Sequence, residues 1–155
     1  DYLARDDVQN DEVTLHAYRI IWEKGYNPEI LVLLQPTSPF RSSQDIDNAV
    51  AVYHSNHETV IGVYRDYKFH WSYEYINLNP EFHNPEKRWG KQWIKEEDWL
   101  YAESGAIYVF DAERFGQERI VRMYPFVPYI MTEETSVDID TELDWMIAEQ
   151  ILKTL

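Results

Sequence analysis

A chain of 155 residues suits one domain with a real core, and its lack of cysteine excludes disulfides, thiolate metal sites and a cysteine nucleophile. The formal net charge of −14 argues against a nucleic-acid partner, whose phosphates need a basic surface. It also implies that an anionic ligand would need a metal ion to hold it. No apolar run approaches the ~20 residues that span a bilayer and no stretch resembles a signal peptide, so the sequence reads as soluble, cytoplasmic and without a membrane partner. His16, His54, His57, His70 and His83 lack the HExxH-like spacing of a metal site and read as structural or surface residues. The start at acidic Asp1, without Met, reads as a fragment.

Residues 1–9 are polar and read as irregular. Asn10 or Asp11 is expected to cap a helix that runs to about Lys24, with Asp11 and Glu12 in its first turn. Val13, Ala17, Ile20 and Ile21 fall at helical spacing and define the expected buried face. Gly25 ends the helix, and Asn27-Pro28 connects it onward. Ile30 to Leu34 is an unbroken aliphatic run, the pattern of a strand buried on both faces. Polarity then changes within one residue. Gln35 brings a donor and an acceptor, Thr37 and Ser38 bring hydroxyls, Pro36 and Pro39 stiffen the turn, and Arg41 adds a planar cationic fork. Ligands of open α/β sheets sit beyond the carboxyl ends of strands, so this loop is a binding-site candidate. The alternative is an ordinary strand-to-helix turn built from Pro and Ser.

Ser42 or Ser43 opens a second helix, from about Gln44 to His54, with Ile46, Ala49, Val50 and Tyr53 facing inward. Thr59 to Tyr64 is the next strand, so strand, helix and strand form a βαβ unit with parallel strands. From Arg65 to Trp99 charged and aromatic residues mix, and Asn79-Pro80 and Asn84-Pro85 mark turns. The segment is too aromatic for a linker. It reads as an arm or hairpin anchored on a partner subunit through Trp71, Trp89, Trp93 and Trp99, as a cover over the domain's own sheet, or as a sugar-binding surface.

Gly105 to Phe110 is a second core strand, and Asp111 begins a short helix. Tyr124 to Met131 reads as a strand that its Pro125 and Pro128 confine to an edge. The last helix spans about Thr141 to Thr154, with Leu143, Ile147, Ile151 and Leu155 expected on its buried side. Just before it, Asp138 and Asp140 stand two apart. In an extended segment both carboxylates point the same way and can share a hard cation such as Mg²⁺. The other reading makes Asp140 a helix cap and leaves Asp138 solvated.

Three stretches occur in order: Leu34-Gln35-Pro36-Thr37-Ser38-Pro39-Phe40-Arg41, Gly105-Ala106-Ile107-Tyr108, and Ser136-Val137-Asp138-Ile139-Asp140-Thr141-Glu142-Leu143-Asp144. Together they resemble the acylneuraminate cytidylyltransferase family, the CMP-sialic acid synthetases, over nearly the whole chain. The resemblance implies an α/β fold, a Rossmann-like three-layer sandwich of the nucleotide-diphospho-sugar transferase type. Residues 1–155 would form a single, partial domain, with 65–99 as an aromatic-rich dimerisation arm or hairpin, and the chain would be a homodimer or higher oligomer. The implied reaction joins CMP from CTP to a nine-carbon 2-keto (nonulosonic, sialic-type) sugar acid and releases pyrophosphate. Carried over by position, Asp138 and Asp140 would hold Mg²⁺ near the phosphates and Gln35 would contact the sugar acid. Thr37, Ser38 and Arg41 complete the loop, Tyr108 would wall the sugar pocket, and Lys91-Gln92 falls where the family has an Arg-Gln pair that meets the sugar carboxylate.

The sequence also departs from the family pattern. The family begins with a strand and a Gly-, Arg- and Lys-rich loop that receives the CTP phosphates, and no such segment is present here. The expectation is therefore N-terminal strands missing, little or no synthetase activity, and an exposed, association-prone edge at Ile30 to Leu34. Gln9 and Asn10 stand where small hydroxyl residues are more usual, and Ser104 stands where Asn is common. Lys91 replaces Arg, which turns a two-point carboxylate contact into a single-point one. No counterpart of a further family Lys lies near His70-Trp71-Ser72. The competing reading is a non-catalytic dimeric sugar-acid-binding or interaction module built on the same fold. A 3-deoxy-manno-octulosonate cytidylyltransferase is chemically close, but the Gln-Pro-Thr-Ser-Pro stretch fits the acylneuraminate branch better.

Overall fold

The computed structural model describes residues 2–81, 86, 90, 94–95 and 98–154. These fall into two compact units, one made of Asp1–Tyr64 with Glu103–Leu155 and the other of Arg65–Ala102.

The first unit is built on a sheet of order β1-β5-β2-β6. After a short 3-10 turn at Tyr2–Ala4, helix α1 spans Asn10–Glu23, strand β1 spans Ile30–Leu33, helix α2 spans Ser43–Asn56 and strand β2 spans Thr59–Asp66. Strand β5 is Leu100–Asp111, helix α3 is Ala112–Glu118, strand β6 is Phe126–Met131 and helix α4 is Glu142–Leu152. Strand β1 runs antiparallel to β5, and β2 runs parallel to β6. Strand β6 lies at the sheet edge, as its prolines predict.

Side chains on a strand alternate between faces, and β5 uses both. Ile107 and Val109 pack with Ala49 and Tyr53 of α2, Val60 and Met131. Tyr108 and Phe110 pack on the opposite face with Phe115 of α3, Ile61 and Met123, joined by Leu15 and Tyr18 of α1. Helices thus cover both faces, which makes three layers. Phe110 and Phe115 are fully buried, each contributing roughly 1.5–3 kcal/mol. Gly116 lets α1 and α3 approach: a Cβ there would lie 3.0 Å from Tyr18 Cε1.

Several expectations are corrected. Helix α1 is capped by Gln9 with no side-chain bond, and the Asp11 carboxylate instead accepts from the Val121 N–H at 2.9 Å. Its packed face is rotated from the expected one. Leu15 and Tyr18 meet the core, while Val13 and Ile20 are exposed. Strand β1 is not buried on both faces, and Val32 is 36% exposed. The reason is topological: β1 is an edge strand, and β5 lies between it and β2. The two strands of the expected βαβ unit therefore share a sheet without being neighbours, and β1 pairs antiparallel with β5. On α4 the buried residue is Ala148, whereas Leu143 and Ile147 are exposed, and Leu155 lies outside the described residues. In both helices apolar residues outnumber the places available against the sheet, so spacing alone selected the wrong stripe.

The second unit holds a hairpin of strands β3 (His70–Glu74) and β4 (Asn77–Glu81). Asn79-Pro80 is not a turn. Asn79 pairs with Ser72 and Pro80 with Trp71 inside the ladder. The chain reverses at Tyr75-Ile76, where Tyr75 adopts a left-handed φ of 57°. Tyr67 meets Trp99 edge to face at 4.9 Å, and Asp66 pairs with His70 at 2.8 Å. Asn84-Pro85, Trp89 and Trp93 lie outside the described residues.

Candidate active site

The loop after β1 is held by its own side chains. The Ser38 N–H donates to the Gln35 carbonyl at 3.3 Å, closing a turn over Pro36-Thr37. Arg41 Nη1 then donates to the carbonyls of Gln35 at 2.6 Å, Ser38 at 2.8 Å and Ala106 at 3.3 Å. One guanidinium thereby ties the loop to itself and to β5. Burial lowers the pKa of Arg41. Ser42 completes the loop as N-cap of α2, in a capping box with Asp45.

The segment before α4 is stitched to this loop. The Ile139 N–H donates to the Thr37 carbonyl at 2.9 Å. Ser38 is fully buried, with its Oγ 3.3 Å from the Ser104 carbonyl and 3.4 Å from Asp138 Oδ1. A single hydroxyl proton serves one of these acceptors at a time. Thr141, not Asp140, caps α4, and it shares a capping box with Asp144. The cap reading of Asp140 is thus corrected. Its backbone N–H donates to Asp144 Oδ2, and its own carboxylate is left exposed to solvent.

Gln35 and Asp138 converge on β5 at Gly105. This glycine has φ +69°, and a Cβ there would lie 2.5 Å from Gln35 Oε1 and 2.9 Å from Asp138 Oδ2. Glycine is required here on both counts, a left-handed backbone and two side-chain oxygens where a methyl would sit. The kink also changes the parity of the strand. Glu103 and Tyr108 stand an odd number of positions apart in sequence, which in a regular strand places them on opposite faces. Across Gly105 they meet: the Tyr108 hydroxyl donates to Glu103 Oε1 at 2.5 Å. Burial first, and then this bond, push the pKa of Tyr108 up, and the negative charge of Asp138 adds to the effect. Arg122 Nη1 reaches the same Glu103 oxygen at 3.3 Å and acts in the opposite direction on Tyr108.

Gln35, Thr37, Ser38, Arg41 and Asp138 are thus brought together around Gly105 and the loop, with Tyr108 three residues further along β5 and Asp140 exposed beside Ile139 on the approach to α4. Lys91 and Gln92 lie outside the described residues. Glu103 and Arg122 were not singled out by the sequence. Only the Gly105 kink makes Glu103 a neighbour of Tyr108, and Arg122 arrives from a loop with no motif. Ser104 has a structural part: its Oγ donates to the Gly62 carbonyl at 2.9 Å.

Among the described residues no group of three or more His, Cys, Asp or Glu side chains is placed to hold a metal. Mg²⁺ does not require one, since it commonly takes one or two carboxylates and lets substrate phosphates and water complete its shell. The all-oxygen donor set of Asp138 and Asp140 fits that chemistry.

No family model matches the chain. It is 28% identical over 125 residues to the CMP-N,N'-diacetyllegionaminic acid synthase of Legionella pneumophila, a match covering 79% of this chain and 53% of that protein. It is 30% identical over 152 residues to the N-acylneuraminate cytidylyltransferase of Escherichia coli, covering 94% of this chain and 34% of that protein. N-acylneuraminate cytidylyltransferase B of Danio rerio is 31% identical over 131 residues, which are 79% of this chain and 30% of that protein. The chain is a relative of the acylneuraminate cytidylyltransferases. It spans about half the length of the first of these proteins and about a third of the other two. The fold is similar to that of the 4-diphosphocytidyl-2C-methyl-D-erythritol synthase of Anaerococcus prevotii, with a TM-score of 0.61 at 11% identity over 95% of this chain and 65% of that one. That likeness concerns the fold alone, and it agrees with the Rossmann-like sandwich that the sequence implies. No helix among the described residues is long and apolar enough to cross a membrane.

Proposed function

We propose that this chain carries the sugar-acid and metal side of a cytidylyltransferase site, which transfers CMP from CTP to a nine-carbon 2-keto sugar acid. The observation that carries the reading is the meeting of Gln35 and Asp138 at Gly105, within motifs that the cytidylyltransferase relatives make meaningful. In the reaction a sugar hydroxyl forms a bond to the α-phosphorus of CTP, the bond from that phosphorus to pyrophosphate breaks, and the hydroxyl proton is lost.

Each residue has a part set by its surroundings. Gln35 offers an amide at the strand end to orient the sugar acid. Ser38, buried and bonded within the protein, fixes Asp138 rather than reaching the ligand. Arg41 fixes the loop through its carbonyls, and Thr37 ties it to the segment that bears both aspartates. Asp138 and Asp140 would hold Mg²⁺. When bound, the ion offsets phosphate charge and lowers the pKa of the attacking hydroxyl. Tyr108, kept protonated by burial and by Glu103, walls the sugar side. Lys91 and Gln92 would meet the sugar carboxylate, and the aromatic segment 65–99 would serve an oligomer contact.

The test is pyrophosphate release from CTP and Mg²⁺ with a panel of nonulosonic acids. Little or no release, with Mg²⁺ affinity that is lost in Asp138→Ala, is the expected signature of this part of the site, whereas release that depends on one sugar and vanishes in Asp140→Ala would mean that the site is complete. Saturable sugar-acid binding that persists in Asp138→Ala, with no release of pyrophosphate, would replace the transferase reading with that of a binding module.

A further inference from the structure

Resting on the sugar-acid reading above, we propose that Arg122, aimed by Glu103, gives the acid group of the ligand a contact additional to the one proposed for Lys91 and helps to set specificity for acids over neutral sugars. The argument begins with charge. The Asp138 carboxylate lies against Gly105, that of Glu103 holds the Tyr108 hydroxyl, and the chain carries a net charge of −14. An anion entering that neighbourhood needs a nearby cation. Arg41 is poorly suited, because its Nη1 is committed to three backbone carbonyls that hold the loop.

Arg122 has the opposite character. Its side chain is 59% exposed, and one 3.3 Å contact with Glu103 Oε1 is its hydrogen bond among the described residues. A guanidinium has five N–H donors in a fixed fork, and a two-point contact with a carboxylate is its favoured geometry. Most of that fork therefore remains open to solvent. The same Glu103 oxygen accepts the Tyr108 hydroxyl at 2.5 Å, so one carboxylate links Arg122 to Tyr108. The result is a cation held by one edge beside Tyr108, whose phenol feels both Arg122 and Asp138. Glu103 is then a positioning residue that acts through Tyr108 and Arg122 without touching the ligand.

The experiment follows the Arg122 side-chain Nε–Hε resonance by NMR during titration of the chain with N-acetylneuraminic acid, its methyl ester and pyruvate, the smallest 2-keto acid. The sugar acid and pyruvate are expected to shift the resonance saturably, and the ester is not. Arg122→Ala is expected to weaken acid binding by about tenfold, the scale of one charged hydrogen bond, and to leave ester binding unchanged. Arg122→Lys should restore part of the loss. Thermal unfolding should barely change in either variant, because an exposed pair contributes little stability. Sugar-acid binding within twofold of wild type in Arg122→Ala would overturn this inference and leave the proposed function standing. A resonance moved by pyruvate, but by no sugar acid, would support Arg122 as an acid receptor and remove the sugar-acid reading. A resonance that neither acid moves would overturn the inference outright.

Discussion

The loop at Gln35–Arg41 and the hairpin at His70–Glu81 are both irregular in sequence, yet they solve the backbone problem differently. In the loop, side chains answer the backbone. Arg41 takes three carbonyls, and Ile139 donates to Thr37. The buried Ser38 hydroxyl reaches across to Asp138. In the hairpin, the two strands answer each other through the ladder, and side chains are left outward: Tyr73 is 71% exposed, Tyr75 85% and Ile76 86%. The first arrangement holds functional atoms at fixed places. The second displays apolar surface and asks little of any one residue. Substitutions should separate the two regions by the size of their effect.

The largest effect is expected at Gly105→Ala. The added methyl meets Gln35 Oε1 and Asp138 Oδ2 well inside contact distance, at a φ of +69° that alanine disfavours. A loss of roughly 2–3 kcal/mol in urea unfolding is expected, together with loss of ligand binding. A loss below about 1 kcal/mol would mean that the loop yields easily, and the contrast with the hairpin would fail. Next comes Arg41→Ala, which leaves three carbonyls without their shared donor. About 1–3 kcal/mol should be lost. Arg41→Lys should recover less than half of it, because an ammonium lacks the planar fork.

How much of this was legible beforehand follows the same division. The Gly105–Phe110 half of strand β5, helix α2 and a serine cap at Ser42 or Ser43 were readable because strong local patterns coincide with what tertiary packing uses, whereas the start of β5 at Leu100 was not read. The faces of α1 and α4 were not. Val13 and Leu143 sit at proper helical spacing yet face solvent, because the sheet offers room to a narrower stripe than the sequence provides. The edge position of β1 sets its exposure, and neighbours distant in sequence decide that. At the site, the loop and the Asp138–Asp140 pair could be named from the motifs. The Glu103–Tyr108–Arg122 chain could not. It depends on a kink at one glycine and on a loop without periodicity.

A smaller effect should appear with pH at the helix that leaves the loop. Burial raises the pKa of Asp45, but hydrogen bonds from the Ser42 hydroxyl, the Ser42 N–H and Tyr129 lower it further, so the net shift is downward. A carboxylate depressed in the folded state contributes stability above its unfolded value, about 3.9, and loses it as pH falls through the folded value. Asp45→Asn should therefore flatten the acid limb of stability between about pH 5 and about pH 2, with less than about 1 kcal/mol at stake because the group is partly solvated. Urea midpoints measured across that range check this, and an unchanged acid limb would show that the capping box carries no net charge effect.

The smallest effect is expected in the hairpin itself, at Tyr73→Ala. Tyr73 lies opposite Leu78, which is 64% exposed, so the pair shields little apolar area from water. A cross-strand pair of this kind contributes roughly 0.2–1 kcal/mol, and exposure places this one at the low end. Unfolding of dilute protein should therefore shift by less than about 0.5 kcal/mol. The informative variable is protein concentration. If the outward aromatics serve an oligomer contact, the wild-type unfolding midpoint should rise with concentration and Tyr73→Ala should leave the dilute sample unchanged but reduce that rise, because association stabilises only what it binds. An equally small effect at every concentration would leave Tyr73 as a solvated ring. A loss above about 1 kcal/mol in dilute solution would instead mean that the hairpin is as tightly specified as the loop, and the two regions would no longer differ in kind.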